Sequence, residues 1–226
     1  MVADNAYIAR RLHLLGEWDA ALAALGPDAD PELRAEIAVE QWFFQMEGHD
    51  DAEKAVAALD PDAPATRLLI ARLAYSRLLF GRDARPDDRA VSEAGYRVAA
   101  RAPDDTLRGW AEFHWGVLLD LVDKDPGAAL PHYETALDIA RSLGDGYLES
   151  YAIRHIAQQK APDEAIPLFR RSLHLRAAFG ARPQVLAAQA ALAYNLPEDD
   201  PERAILMETF RAGAKELRIG WLLSED

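Results

Sequence analysis

Cysteine is absent from the 226-residue chain. That excludes disulfide frameworks and thiolate metal sites, and it fits a reducing compartment. Long apolar runs are missing too. Nothing approaches the ~18 residues of a membrane span, and Met1 to Arg11 lacks the apolar core of a signal peptide. The expectation is a cytoplasmic protein with no membrane partner. No β-branched run of strand length occurs, which argues against a substantial sheet. Basic charge is scarce, with 25 Lys and Arg against 38 Asp and Glu and a formal net charge of −13. Such a chain repels phosphate backbones, so nucleic acid is not an expected partner. Arg170, Arg171 and Arg176 make the nearest basic group, and a solvated helix face accounts for them. Aromatics supply only 8% of the residues although half the chain is hydrophobic. Much of that half is Ala and Leu, which lose little side-chain entropy in a helix.

What is present is a repeat. One phrase recurs, a charged residue or two followed by alanine and an aliphatic residue at the head of an amphipathic stretch. Its anchors are Ala21, Ala55, Ala90, Ala129, Ala165 and Ala204, spaced 34 to 39 residues apart. Each anchor follows an earlier helical pattern and a breaker. Ile8, Leu12 and Leu15 run at helical spacing to Gly16, and Trp110, Phe113, Val117 and Leu121 run to Pro126-Gly127. Pro86, Pro126, Pro162 and Pro201 sit where a helix can begin but an older one cannot continue. Pro131 and Pro167 are expected inside the first turn of their helices. An insertion, Arg82 to Asp88, interrupts the third repeat. The unit is therefore helix, short turn, helix, and short turns such as Gly26-Pro27 make the two helices antiparallel. Ala9, Ala74, Gly116 and Ala157 sit where the first helix presses on its partner. Larger side chains there would cost about 1–3 kcal/mol in overpacking.

The unit resembles the tetratricopeptide repeat family. Repeat four carries the pattern best, as Trp115-Gly116 followed by Ala129, Tyr133 and Ala136. Repeat five follows as Ile156-Ala157, Ala165, Phe169 and Ser172. The junction Ala140-Arg141-Ser142-Leu143-Gly144-Asp145, then Glu149 and Ala152, is similar to the longer-helix arrays of bacterial regulatory proteins and kinesin light chains. The resemblance implies an all-α, right-handed superhelical solenoid of about six antiparallel helix pairs, forming one domain over residues 1–226. The repeats are residues 2–30, 31–62, 63–102, 104–144, 145–180 and 182–211, with the helix faces of repeats two, three and six expected to deviate. A capping helix is expected over 212–226, where Leu217, Ile219, Trp221, Leu222 and Leu223 close the array. The alternative for those residues is a homodimer contact.

Little in the sequence carries chemistry. No serine lies in a Gly-x-Ser-x-Gly elbow and no glycine-rich loop follows a strand. Carboxylate pairs such as Asp50-Asp51, Asp104-Asp105 and Asp199-Asp200 fall at helix starts, where they cap free N–H groups. His114 and His155 occupy equivalent positions in repeats four and five and are the only candidates for a metal. They lack a third ligand at a recognisable spacing, and descent from one repeat explains their match. No cofactor, no metal and no enzymatic activity are expected. The resemblance places partner contacts on the first helix of each repeat, along the concave side. Those positions are Trp110, Phe113, Val117 and Asp120 in repeat four, where core packing between adjacent first helices is the alternative for Trp110 and Phe113, and Tyr151, Arg154 and Gln158 in repeat five. Repeat three adds Leu68 and Tyr75, and repeat one adds Arg10 and His13. Aromatics and arginine are the residues that interface hot spots favour. The expected function is a protein- or peptide-binding scaffold. The alternatives are a partner-responsive sensor acting on a separate effector, and a groove that binds a small molecule or metal.

Overall fold

The computed structural model describes residues 4–26 and 30–223. Thirteen α-helices and one π-helical segment occur among these residues, and no strand. None of the helices is long and apolar enough to cross a membrane. The chain forms two compact units, a terminal one of Met1–Leu59 with Phe169–Asp226 and a middle one of Asp60–Leu168. The Pro27 half of the first inter-repeat turn and Ser224 onward in the closing segment lie outside the described residues.

In the terminal unit, α1 (Asn5–Leu15) pairs with α2 (Trp18–Leu25), α3 (Pro31–Gln45) with α4 (His49–Ala57), and α11 (Arg182–Asn195) with α12 (Pro201–Glu216). The middle unit pairs α5 (Pro64–Phe80) with α6 (Asp88–Ala99) and α7 (Asp105–Val117) with α8 (Pro126–Leu143); α9 (Gly146–Ala157) packs on α8. Helix α10 (Pro162–Phe179) runs through the division between the units. Of the carboxylate pairs expected to cap, Asp104 and Asp200 do so, whereas Asp50 and Asp51 lie inside α4, whose N-cap is Gly48. Asp30, Asp104, Asp125 and Asp200 accept backbone N–H bonds of 2.8–3.0 Å from the first turns of α3, α7, α8 and α12.

The anchor alanines follow the regularity of their repeats. Ala21, Ala129 and Ala165 are buried, whereas Ala55 is half-buried and Ala90 and Ala204 are exposed. In those three irregular repeats the inward position moves to Ala52, Asp88 and Leu206. The small residues expected between paired helices, Ala9, Ala74, Gly116 and Ala157, are all buried. Two local expectations need correction. Pro131 and Pro167 lie inside α8 and α10, a turn beyond the prolines that open those helices. The N–H each lacks would have met the carbonyl of residue 127 or 163, both exposed, so the helix continues past it. The closing helix does not begin at 212, because α12 continues to Glu216. Gly213, the nearest breaker, is packed under Leu186 instead of ending the helix. Arg218 (φ 55°) then turns the chain, and the separate last helix, α13 (Gly220–Leu223), is a single turn.

The apolar residues of this closing segment are used within the terminal unit. Helix α11 packs on α1 and α13 on α3. Leu217, Ile219 and Leu222 are buried, and Trp221 stands 6.1 Å from both the Phe43 and Phe44 rings. Gln45 donates from Nε2 to the Leu217 carbonyl at 3.0 Å. Gly16 shows how close the approach is: at φ 80° it ends α1, and a Cβ there would come within 2.9 Å of both Leu217 and Pro183. An open array keeps its first and last repeats apart, whereas here the first and last helices share a core. The residues considered for a homodimer contact are thereby largely covered by the chain itself.

The inserted loop of repeat three delivers a buried charge. Asp88, 1% exposed, accepts from Arg77 Nε at 3.0 and 3.2 Å and from the Arg85 N–H at 2.7 Å. Burial pushes its carboxyl up, but the bonds and charge of Arg77 and the Arg85 N–H outweigh that and hold it below the usual range. Asp88→Ala would leave the buried guanidinium without this carboxylate. The expected cost is about 3–5 kcal/mol, read as a lowered urea midpoint of the helical signal. The stability lent by the depressed carboxyl is present at neutral pH and lost below ~pH 4, so the variant converges on wild type in acid.

Candidate functional site

The first helices of repeats three, four and five, α5, α7 and α9, lie side by side in the middle unit. Residues at i, i+4 and i+7 share one face of a helix. On α5 that row is Leu68, Arg72 and Tyr75; on α7 it is Trp110, His114 and Val117; on α9 it is Tyr147, Tyr151 and Arg154. The structure brings much of the expected set together here. Trp110 meets Tyr151 edge-on at 5.1 Å and Tyr147 at 5.7 Å, and Tyr147 meets Tyr151 at 5.3 Å. All three rings are half-buried, as is Arg154, and Gln158 is exposed just beyond α9.

Other members of the set are placed differently. Phe113, Tyr75, Val117 and Leu68 are 3–8% exposed and belong to the core, because adjacent first helices press on them. They offer almost no surface to a partner. Arg10 lies on α1 of the terminal unit, exposed and 3.5 Å from Asp30, and His13 on the same helix stands 2.9 Å from Glu40.

Below the rings lies a polar cluster. After α7 the helix widens into a π-helical segment, Leu118–Val122, closed by the Asp123 N–H on the Leu118 carbonyl at 3.2 Å. The extra residue in that turn changes which side chains face inward, and such segments recur at functional sites. Repeat five has no counterpart of it. It carries Asp120, whose Oδ2 accepts from the Tyr133 hydroxyl at 3.0 Å. The same hydroxyl is 3.2 Å from His155 Nδ1, and Arg154 Nη1 is 3.0 Å from His155 Nε2. A guanidinium only donates, so Nε2 accepts and the imidazole proton sits on Nδ1, aimed at Tyr133. The His155 imidazole 3.8 Å away and the bond from Tyr133, against the cost of burial, hold Asp120 below the usual carboxylate range. Burial, reinforced by Asp120, pushes the Tyr133 hydroxyl up and keeps it a neutral donor.

His114 and His155 both lean on Phe113, at 5.2 and 5.4 Å. With both nitrogens of His155 engaged, it has no lone pair to offer a metal. Among the described residues no group of three His, Asp or Glu could hold one. Sequence reasoning missed Arg72 and Tyr147 as members of the face. Both were in reach, since Arg72 lies four residues after Leu68 and Tyr147 four before Tyr151. Set against protein-family profiles, curated proteins and solved structures, the chain matches none. The likeness to tetratricopeptide repeats rests on its residues alone.

His114 gives the face a pH signature. It packs 5.9 Å from Tyr96 in a stack and 6.0 Å from Trp110. Burial, then the charges of Arg72 and His155, hold its imidazole well below the usual value. The unfolded chain therefore takes up this proton first, and stability falls as pH drops below ~6.5. His114→Phe keeps the ring and removes the titration. Its Tm should fall less than that of wild type between pH 7.5 and 5, and a parallel fall would show that His114 does not titrate in this way.

Proposed function

We propose that the chain is a tetratricopeptide-like scaffold that binds a protein or peptide through the face formed by α5, α7 and α9. The observation that carries this is the half-buried triad Trp110, Tyr147 and Tyr151 beside Arg154. Aromatic rings held in mutual contact bury much area on binding at little entropy cost, and arginine adds directional donors. The reading takes the consecutive helix pairs as tetratricopeptide units stacked in the right-handed sense of that family. Support for it comes from repeats four and five, where Gly116, Ala129, Tyr133, Ala136, Ala157, Ala165, Phe169 and Ser172 are all buried. No chemical step is part of it, since His155, the best-placed base, is already bonded at both nitrogens.

The test is affinity purification from cells of the protein's source, comparing wild type with Trp110→Ala plus Gln158→Ala and with Glu208→Ala, which alters an exposed residue of α12. A specific partner should drop at least fivefold with the double variant and persist with Glu208→Ala, circular dichroism confirming that both stay folded. Equal recovery by a folded double variant would mean that the face does not bind.

A further inference from the structure

Ten arginines in this acidic chain stand at ion-pair distance from a carboxylate. Arg10, Arg67, Arg89, Arg97 and Arg182 do so at the surface and Arg77 in the interior. Arg72 does not. With 38 carboxylates available for 25 basic residues, its half-buried guanidinium has no carboxylate, carbonyl or ring partner among the described residues. Tyr75, one turn further along the same face of α5, is 4% exposed, and its hydroxyl has no hydrogen-bond partner among the described residues either. The His114 ring nitrogens, on the neighbouring α7, are in the same position.

These groups belong to one place. Tyr96 stacks on His114 at 5.9 Å and donates its hydroxyl to the carbonyl of Ala71, the residue before Arg72, at 3.3 Å. The Arg72 charge is close enough to add to the burial that depresses His114, and Tyr75 and Arg72 both act on the hydroxyl of Tyr96. A planar guanidinium fork, a phenol and an imidazole thus lie on the facing rows of α5 and α7 without a hydrogen-bonded acceptor among the described residues. The missing acceptor is an oxyanion, which a guanidinium grips with two parallel bonds. Beside His114 the half-buried indole of Trp110, tilted at 6.0 Å, supplies an apolar wall.

We propose that Arg72, Tyr75 and His114 form a binding site for a small-molecule oxyanion, a carboxylate or phosphate borne on a flat ring that packs along Trp110. Arg72 takes the anion, the Tyr75 hydroxyl and His114 complete its hydrogen bonds, and Trp110 orients the ring. The site lies within the partner-binding face and shares Trp110 with it, but it takes a different ligand. It uses neither Tyr151 nor Gln158, so a face that captures no protein leaves it standing.

Isothermal titration of the full chain with benzoate, phenyl phosphate and inorganic phosphate tests the site. At least one ring-bearing anion should bind saturably, and at least tenfold more weakly to Arg72→Gln. Arg67→Gln, which alters the arginine paired with Asp62 at 3.0 Å, should bind as wild type does. Tighter benzoate assigns a carboxylate ligand, and tighter phenyl phosphate a phosphate. Inorganic phosphate binding as tightly as phenyl phosphate would overturn the role of Trp110. No saturable heat with any of the three at millimolar concentration, or equal binding by Arg72→Gln, would overturn the site. Should Arg72→Gln lose its helical signal, Arg72→Lys keeps the charge and removes the fork, and undiminished affinity in that variant counts against the proposal equally.

Discussion

The middle unit depends on close approaches made at glycines, and the one that shapes the candidate site is that of α7 to α8 at Gly116. A Cβ at that position would lie 2.7 Å from Cε1 of Tyr133, so the hydrogen of glycine is what lets the ring lie against the helix backbone. Tyr133 is fully buried as a result. Its hydroxyl then reaches Asp120 in the π-helical segment and His155 on α9 together. A longer side chain at 116 would push α8 outward by overpacking and break both bonds at once.

From that contact the binding face acquires its layers. Phe113, Tyr75, Val117 and Leu68 fill the core beneath, and the polar cluster of Asp120, Tyr133, His155 and Arg154 ties α7, α8 and α9 together. Trp110, Tyr147 and Tyr151 rest above as a half-buried aromatic layer. Rings supported in this way lose little freedom when they are covered, which favours binding over repacking. The arginines divide accordingly. Arg77 is locked to Asp88 in the interior, Arg154 orients His155, and Arg72 is left with donors to spare.

The terminal unit is held by different means. Its core is built from residues at opposite ends of the chain, with Trp18 stacked on Phe44 at 5.6 Å and Trp221 beside Phe43 and Phe44. Gln45 to the Leu217 carbonyl and Arg218 to Asp19, each at 3.0 Å, reinforce it. Contacts of such sequence separation form late, because loop closure must be met before they contribute. The closing segment from Leu217 to Leu223 is thus a clasp on the first two helix pairs, more than a lid on the last one.

Much of the architecture is local and could be read from the residues. Helix content follows from Ala and Leu, helix starts from Asp and Pro, and the inward faces of repeats one, four and five from the anchors Ala21, Ala129 and Ala165. These features are decided within a turn or a repeat, where propensity, capping and period act directly. Trp110 and Tyr151 precede Gly116 and Ala157 by the same six residues, and such equivalent positions of adjacent repeats meet. Tertiary structure alone decided the rest. That Asp88 points inward at Arg77, that a π turn presents Asp120 to Tyr133, and that Gly16 meets Leu217 and Pro183 all depend on contacts between elements. Each is set by the crossing of every helix pair in between, and no local pattern of residues encodes those angles.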